Sequence, residues 1–268
     1  MHAHNWSKTG LWEDDKKAIY PCLIPDCPAA LLKAPGQDVS TGAVLSDRLA
    51  DSVKAFEGLT FEDDPAGGVV KVLQTEVIES YRLHKMKFKP GDVVIDIGAH
   101  VGVIAVYLAK TYGVTVYAFE PIWDNYSRLI HNVYNNNLSD WVYSVNKAVT
   151  GDGRKVMLNI NPTANSGGAS EYTSDDGQTE TRESKTLADI FGDSELDRCR
   201  LLKIDSEGAE YDILLNTPAD LLSRIDYIRG EFHTNKRLKA AGHKPAALRK
   251  WLRGFGVKVQ TDTCKMAE

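Results

Sequence analysis

The chain has 268 residues, 43% of them hydrophobic and 26% charged, enough apolar material for one sizeable core. Its net charge of −5 excludes a protein built mainly to hold phosphate backbones, which needs a basic surface. The Met-His-Ala-His-Asn-Trp start has no basic stretch leading into an apolar run, and no apolar stretch is long enough to span a bilayer. Four cysteines, Cys22, Cys27, Cys199 and Cys264, show no Cys-x-x-Cys pair, so reduced thiols and a cytoplasmic location are expected.

Residues 1–73 lack a clear period and read as an extension or cap on the domain that follows, 74–268; within it 47–56 suits an amphipathic helix. A helix is predicted over 74–86, then a Lys-Pro-Gly-Asp turn leading into strand 93–97. Helix 102–110, strand 114–119 and a helix from Trp123 to Tyr134 follow, with Asn135-Asn136-Asn137 as the stop. Strand 142–149 reaches Gly151-Asp152-Gly153, whose composition predicts a hairpin return into 155–160. The polar stretch 161–182 reads as a long loop. Helix 187–191, strand 201–204, helix 209–215, strand 225–232, helix 245–253 and strand 257–260 complete an alternating pattern. Apolar strands alternating with helices predict an α/β fold, a largely parallel sheet covered on both faces.

Ligands of such sheets bind at the carboxyl ends of the strands. There stands Asp96-Ile-Gly-Ala-His-Val-Gly102: an acid at a strand end, a tight turn at Gly98, and Gly102 where the helix must start close. The next strand ends on Glu120, placed to accept from a ribose diol. A dinucleotide fingerprint needs Gly-x-Gly-x-x-Gly, and Gly98, His100, Val103 match one position of three. Acid-x-Gly-x-x-x-Gly suits S-adenosylmethionine better, since that ligand has no pyrophosphate for backbone to touch.

Together with Ala118-Phe-Glu-Pro121 and Leu202-Lys-Ile-Asp-Ser-Glu-Gly-Ala-Glu210, this motif resembles the FkbM-type methyltransferases over residues 74–260. The resemblance implies a Rossmann-like class I methyltransferase fold with a seven-stranded sheet, its last strand very short near Cys264, and S-adenosylmethionine as cofactor. Asp96, Gly98, Ala99, His100 and Gly102 would line the methionine end, Glu120 with Pro121 the ribose, and Asn146 the adenine. Glu76 or Glu79 would add an acid for the amino group.

Methylating a hydroxyl benefits from a base. Asp205 ends one strand, and Glu231 and His233 share a side of the next, so His233 is the expected general base, with Asp205 and Glu231 positioning the hydroxyl. The same three could hold a divalent ion; no metal is assigned. Glu207 and Glu210 read either as structural acids favoured at a helix start or as members of the site. Trp123 reads as core or adenine-stacking, and the basic residues from Lys236 to Arg253 as a solvated face. The acceptor expected is a small molecule or glycan, with homo-oligomers open and neither membrane nor nucleic acid as partner. Transfer to nitrogen or a macromolecule, a silent nucleoside-binding module, and an NAD enzyme are the rival readings.

Overall fold

A computed structural model describes residues 56–63, 67–160 and 178–266, and the backbone of four short strands between 12 and 44 that form an antiparallel sheet. The helix expected over 47–56, the 161–177 part of the loop, Cys22 and Cys27 lie outside the described residues.

The central sheet has six strands, all parallel: β1 (Val93–Ile97), β2 (Thr115–Phe119), β3 (Val142–Val145), β4 (Cys199–Ile204), β5 (Ile225–Thr234) and β6 (Lys258–Lys265). They lie side by side as β6-β5-β4-β1-β2-β3. The chain therefore runs outward from β1 to β3, then crosses back to β4 on the other side of β1. The switch point lies between the carboxyl ends of β1 and β4, where such sheets bind ligands. This is the expected class I methyltransferase arrangement with one strand fewer. Cys264 belongs to β6 rather than to a seventh strand, because pairing with β5 continues through His233↔Cys264 and Thr234↔Lys265.

Both faces are covered. Helix α1 (Val69–Ile78), α2 (Val103–Tyr112) and α3 (Trp123–Asn135) flank Val94, Val116 and Leu201, and Phe56 of the preceding stretch packs into the same layer. Helix α4 (Leu187–Asp193), α5 (Glu210–Leu215) and α6 (Pro245–Arg253) accompany Ile95, Ile97, Leu202, Ile204, Ile228 and Phe232 in the other. Adjacent strand residues thus feed opposite layers, as the pleat requires. No helix among the described residues is long and apolar enough to cross a membrane.

Three expectations change. The first helix starts at Val69, not 74, because the Asp63 carboxylate accepts from the N–H groups of Gly68 and Val70. It stops at Ile78, and a 3₁₀ turn, Leu83–Lys85, follows Arg82 in left-handed backbone. The strand expected over 142–149 breaks at Asn146-Lys147, and its second part, Ala148–Val149, pairs in parallel with Ser184–Lys185. The hairpin at 151–153 does not form. Gly151 N–H donates to Asp212, and Val156–Ile160 pairs instead with Gln178–Arg182, inside the stretch expected to be loop.

Helix α4 opens with a reciprocal cap. Thr186 Oγ1 accepts from Asp189 N at 3.0 Å, while the Asp189 carboxylate accepts from Thr186 N at 2.8 Å. Thr186→Ala should cost about 1 kcal/mol in urea unfolding, with turnover unchanged.

Candidate active site

The turn after β1 is built from backbone that only a few residues tolerate. Gly98, His100 and Gly102 all have positive φ, at 73°, 52° and 84°. A Cβ on Gly98 would stand 1.9 Å from the Asp205 carbonyl oxygen, and one on Gly102 would stand 2.4 Å from Leu129 Cδ1. The two switch-point loops are therefore in backbone contact, and α2 starts against α3. His100 holds the left-handed conformation at a cost for a residue with a side chain; its N–H donates to Glu120 Oε2 at 2.9 Å.

Glu120 closes β2 and is buried. Its Oε1 accepts from Ile122 N at 2.9 Å, so one carboxylate ties the turn after β1 to the turn after β2. Burial pushes its carboxyl up to about 7, against the pull of those two N–H groups. Asn146, next to β3, donates through Nδ2 to the carbonyls of Glu120 and Pro121, at 2.9 and 3.0 Å. The break in the strand at 146 is what lets this amide reach across.

Beneath the turn lies an ion pair with no role in the sequence reading. Asp96 and Lys203 are register partners on β1 and β4, 0% and 1% exposed. Lys203 Nζ stands 3.3 Å from Asp96 Oδ1 and donates to the carbonyls of Gly98 and Ile97, at 2.6 and 3.3 Å. Burial pushes the Asp96 carboxyl up, and the ammonium of Lys203 opposes that.

The expected catalytic residues are brought together at the tips of β4 and β5. His233 is 4% exposed; its Nδ1 lies 2.9 Å from Glu210 Oε1, and its Nε2 lies 3.4 Å from Glu231 Oε2, 3.6 Å from Glu207 Oε2 and 3.8 Å from Asp205 Oδ1. Glu207 reaches the cluster from left-handed backbone, φ 49°. Burial of the His233 ring opposes its charge, yet Glu210, Glu207 and Asp205 outweigh it and push the pKa up to about 10. A raised pKa favours the charged ring, which has no lone pair to take a proton, so its carboxylate neighbours are candidates for the base role beside it. Burial, with Asp205 beside them, pushes Glu207 up to about 8 and Glu231 up to about 7.

Two supporting residues have partners that the sequence did not reveal. Glu210, fully buried, also accepts from Ser206 and Gly208 N–H groups, so it is a strut for the turn after β4 as well as the partner of His233. Tyr81, from the segment after α1, donates to Asp205 Oδ2 at 3.0 Å across 124 positions of chain. Of the two candidate acids before β1, Glu76 turns inward: its Oε2 is buried with no hydrogen-bond partner, and burial together with Asp205 and Glu231 pushes its carboxyl up to about 8. Glu79 is exposed. Trp123 is 56% exposed against Tyr126 and so is not core. The basic residues 236–253 are exposed apart from the half-buried His243 and Arg249, and Arg249 binds β6 through Thr261 and Thr263.

The family model of the FkbM methyltransferase domain matches residues 96–259, more than half of the chain. A curated relative, the AMB antimetabolite synthetase AmbE of Pseudomonas aeruginosa, is 28% identical over 306 aligned positions, which cover 91% of this chain and 14% of that much longer protein. Among solved structures, the N-terminal domain of human METTL16 in complex with SAH aligns at TM-score 0.40 with 18% identity, over 80% of this chain and 77% of that one. M. jannaschii TYW2 in complex with AdoMet aligns at TM-score 0.22 with 15% identity, over 57% and 59%. The family match spans Asp96, Glu120, Asp205 and His233 within more than half of the chain, and so the chain belongs to the FkbM methyltransferase family.

Proposed function

We propose that the chain transfers a methyl group from S-adenosylmethionine to a hydroxyl of a sugar or other small polar metabolite. The observation that carries this reading is the carboxylate–imidazole cluster of Asp205, Glu207, Glu231 and His233 at the strand tips beside the nucleoside turn. An amine acceptor needs only to be neutral, whereas a hydroxyl must give up a proton, and a base at hand is worth about 10²–10⁴-fold.

The residues suit the donor. Glu76 Oε2 is an orphaned buried acceptor facing Asp205, placed for an ammonium group. Glu120, which accepts from the His100 and Ile122 N–H groups and from the Asn125 side chain, keeps one acceptor site for a ribose hydroxyl. The narrow turn at Gly98 brings backbone, not side chain, to the methionine end. When bound, the cofactor supplies an electrophilic methyl on a sulfonium. The protein's part is to hold the acceptor oxygen in line, about 3–3.5 Å from that methyl, which can supply roughly 7–11 kcal/mol of the barrier. Asp205, fixed by Tyr81, orients the hydroxyl. Glu231, its carboxyl pushed up to about 7, takes its proton, and the His233 cation steadies the charge that gathers there.

His233→Ala should lower turnover at least tenfold while S-adenosylhomocysteine binds as in the wild type; an unchanged rate removes the ring from the mechanism. The reading as a whole is tested by calorimetry with S-adenosylhomocysteine and by methyl release against a panel of glycans and hydroxylated metabolites. Absence of heat with that compound, alongside tight binding of a nicotinamide nucleotide, overturns it.

A further inference from the structure

Three side chains at the β4 and β5 tips share an unusual property: each has one donor atom held by a neighbour and another turned to a common point. Asp205 has Oδ2 bound by the Tyr81 hydroxyl, and its Oδ1 faces the cluster. His233 has Nδ1 bound to Glu210, which sets the ring so that Nε2 looks into the cluster. Glu231 takes a hydrogen bond from the Cys264 thiol, and its Oε2 is the oxygen nearest Nε2. The nearest carboxylate oxygens stand 3.4, 3.6 and 3.8 Å from Nε2, so the ring of an almost wholly buried histidine is aimed into the group and held there by three loose ion pairs rather than one short hydrogen bond.

That spacing suits an ion. Around a cation with bonds of about 2.1 Å, ligand atoms lie roughly 3.0 Å apart in cis and roughly 4.2 Å in trans. One atom each from Asp205, Glu231 and His233 lie within 4.8 Å of one another, so a modest closing of the group completes the geometry. An imidazole fixed by a carboxylate on its far nitrogen is the usual support for a metal-binding histidine. Two hard oxygens and one imidazole select the magnesium–manganese class, and the imidazole tilts the choice to manganese.

We propose that Asp205, Glu231 and His233 form a divalent-cation site that takes Mn²⁺ in preference to Mg²⁺. In the reaction proposed above, on which this role rests, the ion would displace the Nε2 proton of His233 to solvent and take over the role of that ring's charge, holding the acceptor hydroxyl and making it more acidic. The O–H bond would break with its proton passing to the Glu207 carboxylate, which the ion's charge would keep ionised, the new O–CH₃ bond would form, and the S–CH₃ electron pair would stay on sulfur as a thioether.

The test uses the full chain, stripped with EDTA and titrated with MnCl₂ by calorimetry and by loss of the free-Mn²⁺ electron paramagnetic resonance signal. One ion per chain is expected, with tighter binding than Mg²⁺. Asp205→Asn and Glu231→Gln should each weaken it at least tenfold, and Tyr81→Phe, which keeps the ligands, by about 10–100-fold. No stoichiometric uptake by the folded wild type, or equal uptake by Asp205→Asn, overturns the site. S-adenosylhomocysteine binding to the stripped chain is measured in parallel. If that compound binds and EDTA leaves methyl release untouched, the ion's role fails and the methyltransferase reading stands. If Mn²⁺ binds as expected but the compound does not, the site stands and the methyltransferase reading falls.

Discussion

Lys203→Met is expected to lower stability by about 3–5 kcal/mol, because it strands the buried Asp96 carboxylate with no other cation of the described residues within ion-pair distance. For a domain of this size that is a fall of roughly 6–20 °C in Tm. The ammonium also holds the carbonyls of Ile97 and Gly98, so the turn after β1 loses its floor and S-adenosylhomocysteine binding should weaken with it. Urea unfolding of Lys203→Met, Asp96→Asn and the double variant closes a cycle. The double variant should recover a large part of the loss, since two neutral groups no longer leave a bare charge in the core. Losses that simply add would show that the two residues act separately.

Gly98→Ala should be nearly as damaging, by contact rather than charge. The new Cβ would lie 1.9 Å from the Asp205 carbonyl, backbone that cannot swing aside, so the turn and the start of the Asp205 loop must separate. A displacement of the order of 1 Å at reacting groups costs about 10²-fold in turnover. Gly67→Ala is the control: φ is +75° there, much as at Gly98, but nothing lies within 4 Å of the added carbon. It should show only the local penalty of left-handed backbone, about 1–2 kcal/mol. Equal effects at the two positions would mean that conformation, not the close approach of the loops, sets the demand for glycine at 98.

What could be read from sequence was whatever a strand announces locally. The apolar runs 93–97 and 115–119 stood out because parallel strands are buried on both faces, and the acids that close them, with Asp205, Glu231 and His233, followed from strand ends meeting at one edge. Partnerships across long separations were hidden. Ala148–Val149 looks like the continuation of a strand and a hairpin arm, yet its partner lies past a long polar insertion at Ser184–Lys185. Lys203 inside an apolar strand gave no sign of its use, since only the register of β1 against β4 sets it opposite Asp96. Glu210 and Tyr81 were obscured for the same reason. A glutamate opening a helix is commonplace, and a tyrosine far upstream of Asp205 declares its partner only once the chain has folded back.

In the proposed reading, which sets Asn146 beside the adenine, its hydrogen bonds have a consequence for molecular choice there. Its amide hydrogens are both committed to main-chain oxygens of the neighbouring loop, and an amide so committed cannot flip without forfeiting two bonds. What it can still offer a visitor is a lone pair. A heterocycle carrying an exocyclic amine answers that lone pair; one with a keto oxygen in the same place meets repulsion, which would make adenosine derivatives welcome and inosine derivatives poor substitutes.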